Sequence, residues 1–121
     1  MGDTPTVVLD EAATLDRVGG DVEFLAEIAD LFQEDCPKLV GELRDAIARG
    51  DRVMVERKAY TLKGSAANFG AEPARRAALK LELLGRGGDL KEAPQALTEL
   101  EVEINRLTGA LQAFANKCRT S

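Results

Sequence analysis

The residues best suited to chemistry lie mid-chain, in the segment AYTLKGSAANFG. If this segment is helical, residues spaced three and four positions apart lie in one row on its surface. That row consists of Tyr60, Lys63, Gly64 and Ala67. Gly64 leaves a hollow in that row, Lys63 places a positive charge beside it, and Arg57 adds a second charge one turn earlier. A floor without side chains, flanked by cations, suits an incoming phosphoryl group and the carboxylate that carries it.

Each of these residues also has an ordinary structural interpretation. A glycine inside a helix costs about 1 kcal/mol relative to alanine, and crowding against a neighbouring helix would explain Gly64 equally well. Lysine alone is most often a solvated surface charge, and a single tyrosine is most often a half-buried aromatic residue. The spacing therefore predicts an exposed Tyr-Lys-Gly patch and leaves its ligand open.

Other kinds of chemistry find little support in the sequence. The chain has no histidine, and its two cysteines, Cys36 and Cys118, do not form a CxxC pair. We expect both thiols to be reduced, no metal site and no cofactor. A nucleotide-binding glycine loop and a nucleophile–base pair are both absent, and Glu101 and Glu103 are best interpreted as a solvated helix face. An enzyme is therefore not predicted.

Length and net charge further restrict the possible fold and the possible partners. With 121 residues, of which 45% are hydrophobic, the chain is expected to form one globular domain. A net charge of −5 disfavours nucleic acid and anionic membrane surfaces as partners. The first residues have neither the basic flank nor the apolar core of a secretory signal, so we expect a cytoplasmic protein. Its charged composition is compatible with a monomer.

Apolar residues recur at helical spacing along almost the whole chain, which predicts an all-α fold. Glycines and aspartates at the ends of these patterns predict helix boundaries near 9–18, 21–49, 51–69, 73–84 and 90–116. Short loops between long helices favour an antiparallel four-helix bundle with a short additional N-terminal helix. The bundle would occupy residues 9–117, between an N-terminal extension or linker remnant, 1–8, and a C-terminal tail, 118–121.

The third predicted helix has two distinct faces. Its apolar stripe, spaced 4-3-4-3, consists of Val55, Ala59, Leu62, Ala66 and Phe69. Successive residues of an α-helix are rotated by roughly 100°, so Tyr60 lies to one side of that stripe. We therefore expect the Tyr-Lys-Gly patch on the outer surface of the bundle.

The same segment closely resembles the active helix of histidine-phosphotransfer (HPt) domains, which usually reads AHTLKGSAANxG. The likeness extends to the first turn at Leu15–Asp21, to the proline-containing stretch Leu31–Pro37 and to the break at Ala48–Asp51. It covers roughly residues 9 to 114. The resemblance implies a module of two-component phosphorelays whose partner is a response-regulator receiver domain, with a hybrid sensor kinase as a further partner.

In the family, an exposed histidine accepts a phosphoryl group from a receiver aspartate and hands it on. The resemblance implies that Lys63 balances the phosphate charge, that Gly64 leaves room for the receiver, and that Glu82 on the next helix supports the acceptor side chain. It also implies a receiver-docking patch near the acceptor, for which the candidates are Leu15, Val18, Ile28 and Phe32.

The sequence departs from the family pattern at the acceptor, where it has Tyr60. Imidazole is a good nucleophile near neutral pH and forms a labile phosphoramidate, whereas a phenol keeps its proton up to about pH 10 and would form a stable ester. The main hypothesis is a pseudo-HPt domain that docks a receiver without carrying phosphohistidine. The alternatives are an authentic phosphotransfer domain with a His-to-Tyr substitution and a purely structural or dimerisation bundle.

Overall fold

The computed structural model describes residues 7–120, and the predicted extension falls largely outside that range, at residues 1–6.

The first three helices of the chain each begin at an aspartate that caps the helix N-terminus. The carboxylates of Asp10, Asp21 and Asp51 each accept a hydrogen bond from the backbone N–H three residues later, at 3.0, 3.0 and 3.1 Å. These bonds satisfy donors that a helix N-terminus otherwise leaves unpaired.

Within the described range the chain folds into five helices: α1 (Glu11–Arg17), α2 (Val22–Arg49), α3 (Arg52–Asn68), α4 (Glu72–Gly87) and α5 (Ala93–Thr120). Helices α2 to α5 pack in a ring in which α2 contacts α3 and α5, while α4 contacts α3 and α5. The predicted all-α bundle with a short leading helix is confirmed. Helix α2 continues through Pro37.

Leucines from all four long helices fill the centre of the bundle. The fully buried ones are Leu25, Leu43, Leu62, Leu81, Leu100, Leu107 and Leu111. Burying one leucine side chain contributes about 1.5–3 kcal/mol, so this set is a main source of stability. Among residues 7–120, no helix is sufficiently long and apolar to cross a bilayer, and no three His, Cys, Asp or Glu side chains are grouped to hold a metal ion.

Three predicted boundaries were wrong: the end of α4 and both ends of α5. Helix α4 was expected to stop at Leu84 because glycines follow, but it continues to Gly87 and ends at Gly88, whose φ is 85°. Gly85 is buried within α4 and lies against the backbone of α3, so it serves helix packing instead of ending the helix. Helix α5 begins at Ala93, not near Leu90, and continues past Asn116 to Thr120, so the described part of the predicted tail is helical.

Candidate functional site

Helix α3 turns one face to the core and the opposite face to solvent. Val55, Ala59, Leu62 and Ala66 are buried on the inner face. On the outer face Tyr60 is 61% exposed, and Gly64 and Ala67 are also exposed. The row predicted from helical spacing therefore exists as a continuous surface.

Gly64 faces open space. A Cβ added at this position would have no heavy atom of a neighbouring helix or loop within 4 Å. Crowding against another helix, which the sequence left open as an explanation, is therefore ruled out for the described residues. The missing side chain leaves room above α3 for the backbone or side chains of another molecule.

Lys63 is held in place by two contacts. Its Nζ lies 4.8 Å from the centroid of the Tyr60 ring, within the range of a cation–π interaction. The same atom lies 2.7 Å from Oε1 of Glu82 on α4, at an angle unsuited to a hydrogen bond, so this contact is an ion pair. The lysine side chain is 24% exposed and bends from the outer face of α3 towards α4.

Glu82 is the centre of a four-residue charge network across α3 and α4. Its side chain is 2% exposed, and its second oxygen accepts a hydrogen bond of 2.6 Å from Arg86 one turn later. Arg86 also donates a hydrogen bond of 2.9 Å to Glu56 on α3. The pKa of Arg86 is raised above its usual value, first by this hydrogen bond to Glu56, so the guanidinium remains charged. The network thus runs Lys63–Glu82–Arg86–Glu56.

A shallow groove of about 590 Å³ runs beside Tyr60 between α3 and α4. Its lining consists of Val53, Glu56, Arg57, Tyr60, Thr61, Glu82 and Arg86. Arg57 is exposed on its rim and forms no ion pair with another residue in the range 7–120. The groove therefore combines an aromatic wall, a paired charge network and one cation that is available to a ligand.

A second, more apolar cavity of about 220 Å³ lies where α1, α2 and the end of α3 meet. It is lined by Thr14, Arg17, Val18, Phe24, Ile28, Asn68 and Phe69. Of the predicted docking residues, Val18 and Ile28 line this cavity and Leu15 packs half-buried beside the core. Phe32 does not offer a surface: it is 8% exposed, and its ring meets Phe69 edge-on at 5.3 Å, so its assignment to a docking patch is corrected to core packing.

Comparison with known proteins identifies the family. The family model described as Hpt domain matches residues 27–115, which is most of the chain. This chain belongs to the Hpt family. The matched range contains the whole of α3 and α4, and with them the Tyr60 row and the charge network.

Named relatives agree with this assignment. The chain is 28% identical over 104 residues to histidine-containing phosphotransfer protein 5 of Arabidopsis thaliana; the match covers 80% of this chain and 64% of the length of that relative. The fold is similar to histidine-containing phosphotransfer protein B (HptB) from Pseudomonas aeruginosa PAO1, with a TM-score of 0.83, 22% identity and coverage of 95% and 98% of the two chains. It is also similar to the HPT domain of a Shewanella hybrid histidine kinase, with a TM-score of 0.72, 16% identity and coverage of 91% and 95%.

The structure of this Hpt domain adds residues to the site that sequence reasoning did not select. Arg86 and Glu56 complete the charge network, and Phe24 and Leu31 are exposed apolar residues, at 47% and 56%, on the N-terminal half of α2. The four-residue spacing between Glu82 and Arg86 was a usable signal, because i,i+4 pairs of opposite charge meet on one helix face. Glu82 itself contacts Lys63 and Arg86, and no hydrogen bond joins it to Tyr60 among residues 7–120.

Proposed function

We propose that this Hpt domain docks a response-regulator receiver domain but cannot carry phosphohistidine, because Tyr60 occupies the acceptor position. In this proposal it is a non-enzymatic, monomeric, cytoplasmic component of a two-component phosphorelay, and a hybrid sensor kinase is its further partner. The observation that carries the proposal is the open surface at Gly64 beside the exposed ring of Tyr60.

The open surface favours a docking role over a purely structural one. A structural bundle gains nothing from a glycine that costs about 1 kcal/mol in a helix and contacts no neighbour. A docking module needs that space, because a partner's backbone can approach α3 only where no side chain stands in the way. The exposed Phe24 of α2 lines the apolar cavity, whose wall also includes Asn68, one helical turn beyond Gly64 on α3.

The chemistry of residue 60 argues against phosphotransfer. A phenol is protonated at neutral pH, and among residues 7–120 Tyr60 has no hydrogen-bonded base that would remove its proton. The nearest charged group that contacts its ring is the cation of Lys63, which cannot act as a proton acceptor while charged.

The proposal is tested by titrating receiver domains from the same genome with the wild-type protein, with Gly64→Gln, and with the distant control Glu99→Gln. We expect at least one receiver to bind the wild type and the control alike, and to bind Gly64→Gln at least about tenfold more weakly, because the glutamine side chain fills the contact surface. Equal binding of Gly64→Gln, or failure of every receiver to bind, would contradict docking at this face.

Phosphoryl transfer is followed in parallel from a phosphorylated receiver to the wild type and to Tyr60→His. We expect an acid-labile label on Tyr60→His and none on the wild type, since only imidazole forms a phosphoramidate. An acid-labile or acid-stable label on the wild-type protein would show that the domain still accepts a phosphoryl group, and the pseudo-HPt assignment would fall.

A further inference from the structure

Three cationic side chains lie around Tyr60. The Nζ atom of Lys63 is 4.8 Å from the centroid of the Tyr60 ring, and Arg57 and Arg86 line the groove beside that ring. Two of the three are held together by one carboxylate: Glu82 pairs with Lys63 through one oxygen, at 2.7 Å, and with Arg86 through the other, at 2.6 Å. Glu82 therefore fixes an ammonium and a guanidinium close to each other, next to the groove.

Although they are paired, Lys63 and Arg86 keep hydrogen-bond donors that the network does not use. A lysine ammonium has three N–H donors and an arginine guanidinium has five. Arg86 bonds to Glu56 through Nε and to Glu82 through Nη2, and among residues 7–120 nothing bonds to its Nη1. The side chains of Lys63 and Arg86 are 24% and 55% exposed, so an anion from solvent can reach both, as it can reach the exposed guanidinium of Arg57.

The positive charge extends over both helices of this face. Residues 52–87, which form α3, α4 and the loop between them, include eight lysines and arginines but only three glutamates and no aspartate. The whole chain nevertheless has a net charge of −5, so the remaining residues are strongly acidic. An anion that approaches the protein is therefore attracted to the α3–α4 face and repelled by the rest of the surface.

An aspartyl phosphate fits such a face better than an aspartate does. An unmodified carboxylate carries one negative charge, whereas a phosphoryl group carries up to two and presents three acceptor oxygens. Cations that are already held in place gain most from the ligand with more charge and more acceptors. Tyr60 leaves the group on its carrier, since a protonated phenol is a poor nucleophile at neutral pH.

We propose that Arg57 and Arg86 act with Lys63 as an anion cradle beside Tyr60, through which this domain binds the phosphorylated form of a receiver more tightly than the unphosphorylated form. The family resemblance implied a phosphate-balancing role for Lys63 alone. The inference rests on the proposed function, in which Tyr60 faces the receiver aspartate, and deepens it by naming the state of the partner. It follows that the domain competes for its receiver chiefly while the phosphorelay is active.

The test titrates a receiver with and without beryllium trifluoride, which binds to the receiver aspartate as a mimic of its phosphoryl group. We expect the wild-type domain to bind the beryllofluoride form about tenfold more tightly than the untreated form. Arg57→Gln and Arg86→Gln should each reduce this ratio, whereas Arg44→Gln, which removes an arginine from an exposed pair with Glu101, should retain it. Arg57 lies at the surface, so Arg57→Gln keeps the test valid even if the loss of Arg86 destabilises the fold around Glu82.

Equal affinity of the wild type for the two forms of the receiver would overturn the proposal. An unchanged ratio in both arginine variants would also overturn it, because the preference would then come from a rearrangement of the receiver and not from the cradle. Failure of every receiver to bind in either form is a different result, since it contradicts the proposed function itself.

A second measurement tests the cradle without a receiver. Inorganic phosphate is added to the isotope-labelled wild type, and the side-chain Nε–Hε NMR signals of its arginines are followed. We expect saturable shifts of the Arg57 and Arg86 signals and no saturable shift of the Arg44 signal. Absence of a saturable shift at both Arg57 and Arg86 would overturn the cradle, whether or not a receiver binds.

Discussion

At the scale of single residues, burial decides what an ion pair can do in this domain. Glu72 on α4 pairs with Arg75 at the surface, where its side chain is 44% exposed, and the hydrogen bond from Arg75 lowers the pKa of Glu72. Such exposed pairs contribute little to stability because water and salt screen them. Glu82 lies on the same helix but is 2% exposed, so its two partners are structurally obligatory.

The two cysteines provide a test at this scale. Burial, with the nearby charge of Asp35 as a smaller cause, raises the pKa of the Cys36 thiol from 9.0 to about 12. We expect Cys118, which is half-buried, to react with a thiol reagent in the native protein, and Cys36 to react only after unfolding. The measurement is the rate of reaction with Ellman's reagent for Cys118→Ser and for Cys36→Ala, with and without denaturant. Fast labelling of native Cys118→Ser would contradict it.

The same pKa shift predicts the direction of a pH effect. Between the unfolded value of 9.0 and the folded value of about 12, the unfolded chain loses the Cys36 proton while the folded chain keeps it. The unfolded state therefore binds fewer protons in this window, and the contribution of Cys36 to stability is present below pH 9 and is lost as pH rises.

At the scale of helices, two glycines in regular helical segments have opposite roles. Gly64 on α3 faces open space, whereas a Cβ at Gly85 on α4 would lie 2.8 Å from the backbone nitrogen of Glu56 and 2.9 Å from the carbonyl oxygen of Arg52. Gly85 thus permits α3 and α4 to approach closely, and this approach brings Glu82 and Arg86 to their partners on α3. Gly64 contributes nothing to packing.

Alanine substitutions should separate these roles. We expect Gly64→Ala to raise the free energy of unfolding by about 0.5–1 kcal/mol through better helix propensity. Gly85→Ala should lower it by about 1–3 kcal/mol, because the methyl group would collide with the α3 backbone. Urea unfolding of both variants measures the difference. Destabilisation by Gly64→Ala would mean that its surface is packed after all.

Helix boundaries were predictable where a local signal controls them. Asp21 and Gly50 delimit α2 as expected, since one carboxylate caps the N-terminus and the left-handed glycine ends the helix. The end of α4 was not predictable in this way. Gly85 looks like a stop signal in sequence, but its packing against α3 keeps it helical, and that contact joins residues about thirty positions apart.

At the scale of the whole molecule, helical spacing in the sequence was sufficient to predict the outer row of α3. It was not sufficient to predict the charge network between α3 and α4. The row depends only on the period of one helix, and the structure places Tyr60, Lys63 and Gly64 on one surface. The network depends on how α3 and α4 are aligned along each other. The sequence contains no local signal for that alignment, so the partner of Lys63 and the contact between Arg86 and Glu56 emerged only from the structure.

The distribution of charge over the molecule leads to a prediction about partners. The chain carries a net charge of −5, yet Arg57 is an exposed cation on the rim of the groove beside Tyr60. If a receiver brings its carboxylates to this face, Arg57→Gln should weaken docking about threefold to tenfold at low salt and reduce the salt dependence.

The matched control is Arg44→Gln, which removes the same charge from an exposed pair with Glu101 on the α2–α5 side. Affinities measured by calorimetry across a salt series distinguish the two. Equal loss of affinity in both variants would indicate a general effect of net charge instead of a specific contact of Arg57.

The way in which α1 is attached to the bundle affects the shape of the apolar cavity. Helix α1 has only 7 residues, and its link to α3 includes the 2.9 Å bond from the Asp10 N–H to the Phe69 carbonyl and a longer one from the Thr14 hydroxyl. So short a helix is not stable alone, and its opening costs less than global unfolding. Because Thr14 and Arg17 belong to the cavity wall, we expect the cavity to change shape whenever α1 opens, whereas the Tyr60 row lies on α3 and does not depend on α1. A partner that uses both the Tyr60 row and the cavity would then select the conformers in which α1 is closed.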